Sequence, residues 1–324
     1  MLGDVTVLVN PLAGRGRARR VAGSAVAELR RLGVSVEVVV TRSAAHARDR
    51  AAAAVGAGCS AVVVCGGDGA VSSVLPVLAE SSVPLGLLPG GSGDDFARAL
   101  GLPVRDPVSA ARIVARGTAR AVDLGRVGSA GPTPRWFGTV VAAGFDSRVN
   151  ERMNSMTWPR GRTRYHVALV RELASFRPIP FLLTVDGSSM ECEAMLVAIG
   201  NTASYGGGMR ICPDARADDG RLEVTVVTAI SRTKLVRLFP SVYSGRHVHR
   251  PEVLTLRGKS VTVAAGTDVS TGSSGSGGSS GGSSVGVVAY ADGERIGPLP
   301  VSVTVAPASL SVLGAISRAD GREA

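Results

Sequence analysis

"VVVCGGDGAV", residues 62–71, is the stretch from which the rest of the chain is read. A β-branched run ends abruptly in Gly66-Gly67-Asp68-Gly69. Glycine has no Cβ, so a backbone rich in it can approach a ligand closely. A carboxylate among such glycines calls for a metal ion or for hydrogen-bond donors.

Working outward, the first 120 or so residues alternate. "VTVLVN" reads as a strand and "ARRVAGSAVAELRRLG" as a helix ended by Gly33. "VSVEVVV" is a strand, "AAHARDRAAAAVGAG" a helix, and "AVVVC" and "VPLGLLP" are two more strands with a helical stretch between them. This alternation predicts a mostly parallel sheet covered on both faces. Ligands of such sheets sit at the carboxyl ends of the strands. Three Gly-rich turns fall there: "NPLAGRG" at 10–16, "GGDG" at 66–69 and "PGGSGDD" at 89–95. Backbone N–H groups and helix N-termini cradle phosphates, and nearby carboxylates suit Mg²⁺. Neither G-x-x-x-x-G-K-[ST] nor a G-x-G-x-x-G after the first strand is present.

From about Asp123 the pattern changes. "WFGTVVAAGF", "PFLLTVDG", "ECEAMLVAIGN", "RLEVTVVTAI", "EVLTLRG", "SVTVAAG" and "PVSVTVAP" are short strand candidates separated by turn residues. They predict an antiparallel β-sandwich, interrupted by a helical stretch near "YHVALVRELASF". Residues 266–286 are almost all Gly and Ser and read as a flexible loop inserted between strands. The expected division is a nucleotide-binding α/β domain at 1–122, a β-sandwich at 123–300, and a segment 301–324 that packs back on the first domain. "HVH" at 247–249 reads as strand, with two histidines on one side and no third metal ligand in sight.

The chain has 324 residues, enough for about two domains, and 45% hydrophobic content supplies their cores. A net charge of +10 points to an anionic partner. Of the 36 basic residues 34 are Arg, a bias that a GC-rich genome produces unaided. No signal-peptide pattern precedes the first strand, and no apolar run approaches a membrane span of roughly 18 residues. Cys59, Cys65, Cys192 and Cys212 are scattered and read as reduced thiols of a cytosolic protein. Segment 148–177 carries seven Arg against two Glu, together with Trp158 and Tyr165. Such a mixture suits an anionic membrane interface, at roughly 1 kcal/mol per basic residue. Trp158, Arg160, Arg162 and Arg164 are the expected docking residues.

"VNPLAGRGRA", "GGDGAV", "LLPGGSGDDFARALGLP" and "ADGE", in this order, resemble the bacterial diacylglycerol kinase family, soluble relatives of eukaryotic diacylglycerol and sphingosine kinases. "WFGTVVAAGFDS", "YGGGMRICPDARADDGRLEV", "RLFPSVYSGRH" and "VAPASLSVL" extend the resemblance over nearly the whole chain, and most resemble the enzymes of GC-rich Gram-positive bacteria. The resemblance implies an ATP-binding α/β domain and a β-sandwich that carries the lipid and the base. It implies nucleotide contacts at Asn10, Pro11, Gly14, Thr41, Gly66, Gly67, Asp68, Gly69, Ser72 and Ser92. It implies Glu294 as general base and Asp68, Asp95 and Asp123 as a water-linked Mg²⁺ network. It also implies a second, structural metal at "RADDGR", held by the Asp219 carboxylate and the Arg216 and Arg221 carbonyls.

The implied reaction moves the γ-phosphate of ATP to the hydroxyl of diacylglycerol, giving phosphatidic acid for phospholipid synthesis. The enzyme would be cytosolic, visit the inner face of the membrane and, as is common in the family, form a homodimer. Other acceptors are a sphingoid base, ceramide, phosphatidylglycerol or a polyprenol. Three departures stand out. Ala70 replaces a common Thr, Ser72-Ser73 replaces an Asn-Glu pair, and Asp94 replaces an Asn, adding negative charge near the phosphates. An NAD kinase would share GGDG, but the "NPLAG" opening and segment 148–177 fit it poorly. A non-catalytic protein binding anionic lipid would leave three phosphate-type turns without purpose. No nucleic-acid signature is present.

Overall fold

The computed structural model describes residues 2–128, 135–144, 178–266 and 287–315. The helix expected near 165–176, the Gly/Ser stretch 267–286 and the four docking residues lie outside them.

The N-terminal elements follow the expected alternation: β1 (Asp4–Val9), α1 (Arg17–Arg31), β2 (Ser35–Val40), α2 (Ala44–Gly56), β3 (Ala61–Gly66), α3 (Asp68–Leu78), β4 (Leu85–Pro89), the short α4 (Asp95–Ala99) and α5 (Pro107–Arg116). β1 pairs in parallel with β2 and β3, and β3 with β4. Period-two alternation divides each strand between two cores. Leu8, Val62, Val64 and Leu87 pack beneath α2, α3 and α4 on one face, with Ala51, Val74 and Phe96. Val7, Val63, Cys65 and Leu88 face α1 and α5 on the other, with Ala25, Leu29 and Ala111. Each large apolar side chain buried this way stabilises by roughly 1.5–3 kcal/mol.

The second part contains β5 (Ala119–Gly128), β6 (Arg135–Phe137), β7 (Val140–Gly144), β8 (Ile179–Val185), β9 (Ser188–Gly200), β10 (Leu222–Thr228), α6 (Arg232–Ser244), β11 (Val253–Gly258), β12 (Ser260–Ala265), β13 (Val288–Ala291), β14 (Glu294–Pro298) and β15 (Val301–Leu313). Its pairings are antiparallel, with β9 taking β7, β8 and β10 as neighbours and β12 lying between β8 and β15. Phe137, Phe181, Val197, Val224 and Val303 fill its core. Met195, Ala198, Ile211 and Cys212 back a second layer under α6 through Leu235 and Val242.

Two strands join the halves. β5 and β15 pair antiparallel along almost their whole length. β15 meets β12 through 301–304 and then β4, in parallel, at Val312. Val122, Leu124, Leu310 and Val312 belong to the N-terminal core, whereas Val127, Val301 and Val303 belong to the C-terminal one. Position 122/123 therefore lies inside a strand.

Two readings change. "HVH" is a 3-10 turn, Arg246–His249, not a strand. His247 is fully buried with Nε2 3.0 Å from the Ile211 carbonyl oxygen, so it is a packed core histidine and no ligand pair forms. "RLFPSVYSGRH" holds helix α6, capped by the Ser231 hydroxyl on the Lys234 N–H and closed by Gly245 at φ 73°. Pro240 inside it obscured the helical period.

Candidate active site at the glycine turns

The three glycine turns meet because they lack side chains. A Cβ on Gly14 would lie 2.3 Å from the Gly90 carbonyl oxygen, and one on Gly91 would lie 2.3 Å from Gly67 Cα. A Cβ on Gly66 would meet Ala70 Cβ at 2.7 Å. Any larger residue pushes the turns apart. The turns after β1, β3 and β4 thus touch backbone to backbone at the carboxyl edge of the parallel sheet. Asn10 Oδ1 accepts the Leu12 N–H at 3.1 Å and shapes the turn through Pro11. Thr41, just after β2, is buried and donates its hydroxyl to the Val9 carbonyl at 3.1 Å. Gly69 and Ser92 are exposed, and Ser72 lies one turn into α3, half-buried.

Four carboxylates gather there. Asp68 opens α3, where the helix dipole favours negative charge. Its Oδ1 accepts the Phe96 N–H at 3.0 Å, while Oδ2 makes no hydrogen bond among the described residues. The point a Cβ on Gly93 would occupy lies 3.0 Å from Asp68 Oδ2 and 2.9 Å from Asp95 Oδ2, so the glycine lets both carboxylates approach one spot. Asp95 opens α4 and is buried, accepting the N–H groups of Gly207 at 2.6 Å and Gly208 at 2.8 Å. It thereby pins a loop of the C-terminal half to the phosphate-type turns. Gly206, Gly207 and Gly208 have φ of 61°, 90° and 101°, a run that side chains would strain.

Asp94 binds the Arg17 guanidinium at 2.7 Å and the Gly91 N–H at 2.8 Å. Arg17 also donates to the Gly91 carbonyl. The extra charge expected at Asp94 is therefore countered by an arginine. Asp292, in the turn of "ADGE", accepts the N–H groups of Gly138 and Thr139 at 2.8 Å each and the Thr139 hydroxyl at 2.5 Å. Burial pushes the carboxyl pKa values of Asp94, Asp95 and Asp292 up, hydrogen bonds pull them back, and the charge of Asp68 pushes all three further up. Asp94, Asp95 and Asp292 are spent on these hydrogen bonds, and the negative charge gathered at this edge favours a nearby cation. Asp68 Oδ2, hard and unbonded, fits Mg²⁺ held with waters. Glu294 is exposed at the start of β14, two residues past Asp292 on the tight turn made by Asp292 (φ 49°) and Gly293 (φ 82°).

A second set of residues lies elsewhere. Asp123 is buried in β5, with Oδ2 on the Gly220 N–H at 2.7 Å and Oδ1 on the Ala308 N–H at 2.8 Å. It holds the 218–220 turn against β15. Asp219 Oδ1 accepts the Arg221 N–H at 3.0 Å and its Oδ2 pairs with the Arg257 guanidinium. Arg216 pairs with Asp218 at 3.0 Å. Arg216, Asp219 and Arg221 all stand in the turn, and the Asp219 carboxylate there is in contact with the Arg257 guanidinium. No cluster of three or more His, Cys, Asp or Glu side chains poised for a metal occurs among the described residues.

The reading from sequence passed over Arg17, Asp292 and Asn201. Asn201 is fully buried and donates Nδ2 to the carbonyls of Asp123 and Gly138, at 2.9 Å each. It ties the Asp123 strand to the loop that holds Asp292. The Asp of "ADGE" was the one local signal, masked because Asp-Gly is also an ordinary turn pair.

Glycine turns on a parallel sheet, with carboxylates and a glycine loop from an antiparallel half closing over them, define the class: a two-domain phosphotransferase. The chain belongs to the diacylglycerol kinase catalytic domain family of lipid kinases. The profile of that domain matches residues 4–127, and that of the YegS C-terminal NAD kinase beta sandwich-like domain matches 139–314. The chain is 45% identical to the diacylglycerol kinase of Mycobacterium tuberculosis, over 96% of this chain and 95% of that protein. It is 26% identical to the diacylglycerol kinase of Staphylococcus saprophyticus, over 81% and 85% respectively. A crystal structure of a diacylglycerol kinase from Bacillus anthracis shares the fold at a TM-score of 0.67 and 19% identity, covering 96% of each chain.

Proposed function

We propose that the chain transfers the γ-phosphate of ATP to the free hydroxyl of diacylglycerol, giving ADP and phosphatidic acid. The observation that carries this reading is the meeting of three side-chain-free turns at Gly14, Gly67 and Gly91, beside the Asp68 oxygen that makes no hydrogen bond among the described residues. The turns offer N–H groups to phosphate oxygens, and α3 adds its positive end. Arg17 keeps the 90–94 turn in shape while countering Asp94. When bound, Mg²⁺ would be held by Asp68, with Asp95 nearby, and would neutralise phosphate charge.

Phosphoryl transfer depends on positioning and charge more than on covalent help from the protein. The lipid oxygen forms the new bond to the γ-phosphorus as the bond to the ADP oxygen breaks. The hydroxyl proton goes to Glu294, an exposed carboxylate on a turn stiffened by the three hydrogen bonds of Asp292. Asp123 holds the 218–220 turn and the β5–β15 junction. Segment 148–177 brings the enzyme to the anionic inner face of the membrane, its charge of +5 attracting acidic lipid. No helix among the described residues is long and apolar enough to cross a membrane.

The test is transfer of labelled phosphate from ATP to diacylglycerol in mixed micelles with Mg²⁺, beside sphingosine, ceramide, phosphatidylglycerol, a polyprenol and NAD. Label in phosphatidic acid, lost in Glu294→Gln, supports substrate and base together. Label only in another acceptor moves the substrate, and label in none removes the enzymatic reading. Charge reversal at Arg160, Arg162 and Arg164 should abolish binding to anionic vesicles, and unchanged binding would remove the docking reading.

A further inference from the structure

The 216–221 turn sets a side-chain cation where the family resemblance implies a metal ion. Arg257 stands on β11 directly opposite Glu223 of β10 in the antiparallel register. Its Nη2 pairs with Asp219 Oδ2, and its Nε lies 3.6 Å from Glu223 Oε2. The Asp219 and Glu223 side chains are only 17% and 10% exposed, so two largely dehydrated carboxylates face one guanidinium. Burial raises both carboxyl pKa values, and Arg257 is the leading influence that draws them back. The other oxygen of Asp219 is bound to the Arg221 N–H at 3.0 Å. The neighbouring Asp218 is turned to Arg216. Each oxygen of Asp219 already accepts one donor, and Arg257 occupies the side from which a small divalent ion, which demands a close, near-octahedral shell of oxygens, would have to approach. A guanidinium already in contact would also repel such an ion.

We propose that Arg257 takes the place of a structural divalent cation at this turn. The chain's own side chain then locks the 216–221 turn to the β10–β11 hairpin, and the turn passes that order to Asp123 through the Gly220 N–H. Among the described residues, the Asp68 side is then the place left for a divalent ion. This holds whichever lipid, or none, accepts phosphate.

The experiment uses full-length protein without nucleotide, with Mn²⁺ as a paramagnetic probe and thermal unfolding in EDTA against Mg²⁺. Wild type and Asp219→Asn should bind Mn²⁺ alike. Arg257→Gln should gain a Mn²⁺ site that wild type lacks, seen as at least about a tenfold rise in Mn²⁺ affinity over wild type. Its melting temperature should rise with Mg²⁺, and both gains should vanish in the Arg257→Gln/Asp219→Asn double variant. Arg257→Lys, which keeps the charge, should behave as wild type. A Mn²⁺ site in wild type that Asp219→Asn removes would overturn the proposal, and so would a folded Arg257→Gln that binds Mn²⁺ no better than wild type. If Arg257→Gln does not fold, the wild-type and Asp219→Asn comparison decides alone, equal binding supporting the proposal.

Discussion

Asp68 and Asp219 are both followed by glycine, Asp68 where a glycine turn opens α3 and Asp219 in the 216–221 turn. Asp68 spends one oxygen on a backbone N–H and leaves the other, near Gly93, without a hydrogen bond among the described residues. Asp219 spends one oxygen on a backbone N–H and the other on Arg257. The dipeptide is the same, and the neighbour differs. Asp68 faces three other carboxylates and glycines without side chains, whereas Asp219 faces a guanidinium delivered by a paired strand. A carboxylate becomes a cation site when its surroundings supply negative charge and room, and a structural latch when they supply an arginine.

The largest effect that would break this contrast is in Asp68→Ala. Phosphate transfer should fall by more than about 10³-fold, with near-ultraviolet circular dichroism unchanged. Retained turnover would make Asp68 a second latch. Glu294→Gln should cost about 10²–10⁴-fold in kcat, with little change in KM for ATP, and a shift in KM alone would place Glu294 in binding instead. Gly91→Ala sharpens the contrast from the side of room. Its new methyl meets Gly67 Cα, so urea unfolding should show a loss of about 1–3 kcal/mol and ATP affinity should fall with it.

The smallest effect concerns Glu28, another carboxylate spent on arginines, Arg31 at 2.7 Å and Arg112 at 2.8 Å. The hydrogen bond from Arg31, then that from Arg112, lowers its pKa from 4.5 to about 2. The stabilisation from Glu28 is therefore full above pH 4.5 and lost as pH falls toward 2. The stability gap between wild type and Glu28→Gln, measured by urea unfolding across that range, should shrink in step. Asp95 and Asp292 have the opposite sign. Their raised pKa values make the folded state hold protons that the unfolded state has released, so stability declines as pH rises through the folded values.

The parallel sheet and the convergence of the turns were legible because both rest on local signals. These are alternation of period, and glycines where strands end. The turns follow β1, β3 and β4, and parallel pairing of those strands puts their carboxyl ends, with Gly14, Gly67 and Gly91, on one edge. The partners of the carboxylates were not legible. Arg17 lies 77 residues from Asp94, and Thr139 lies 153 residues from Asp292, separations that no window along the chain can span. Helix α6 was missed for a different reason, since Pro240 broke a period that tertiary packing of Leu235 and Val242 restores. The resemblance supplied Glu294, which by itself is an exposed residue after a turn.

β15 carries a consequence for how the protein is made. The last partner of β4 is Val312, and β4 ends at Pro89. A nascent chain must therefore extend by more than 200 residues before that edge of the N-terminal sheet can close. At bacterial rates of roughly 5–20 residues per second, the edge waits about 10–40 s on the ribosome. Leu85, Leu87 and Val122, which Leu310 and Val312 later help to cover, spend that interval incompletely buried. Closure of the first domain's sheet is thus timed by synthesis of β15, far along the chain from the strand it completes.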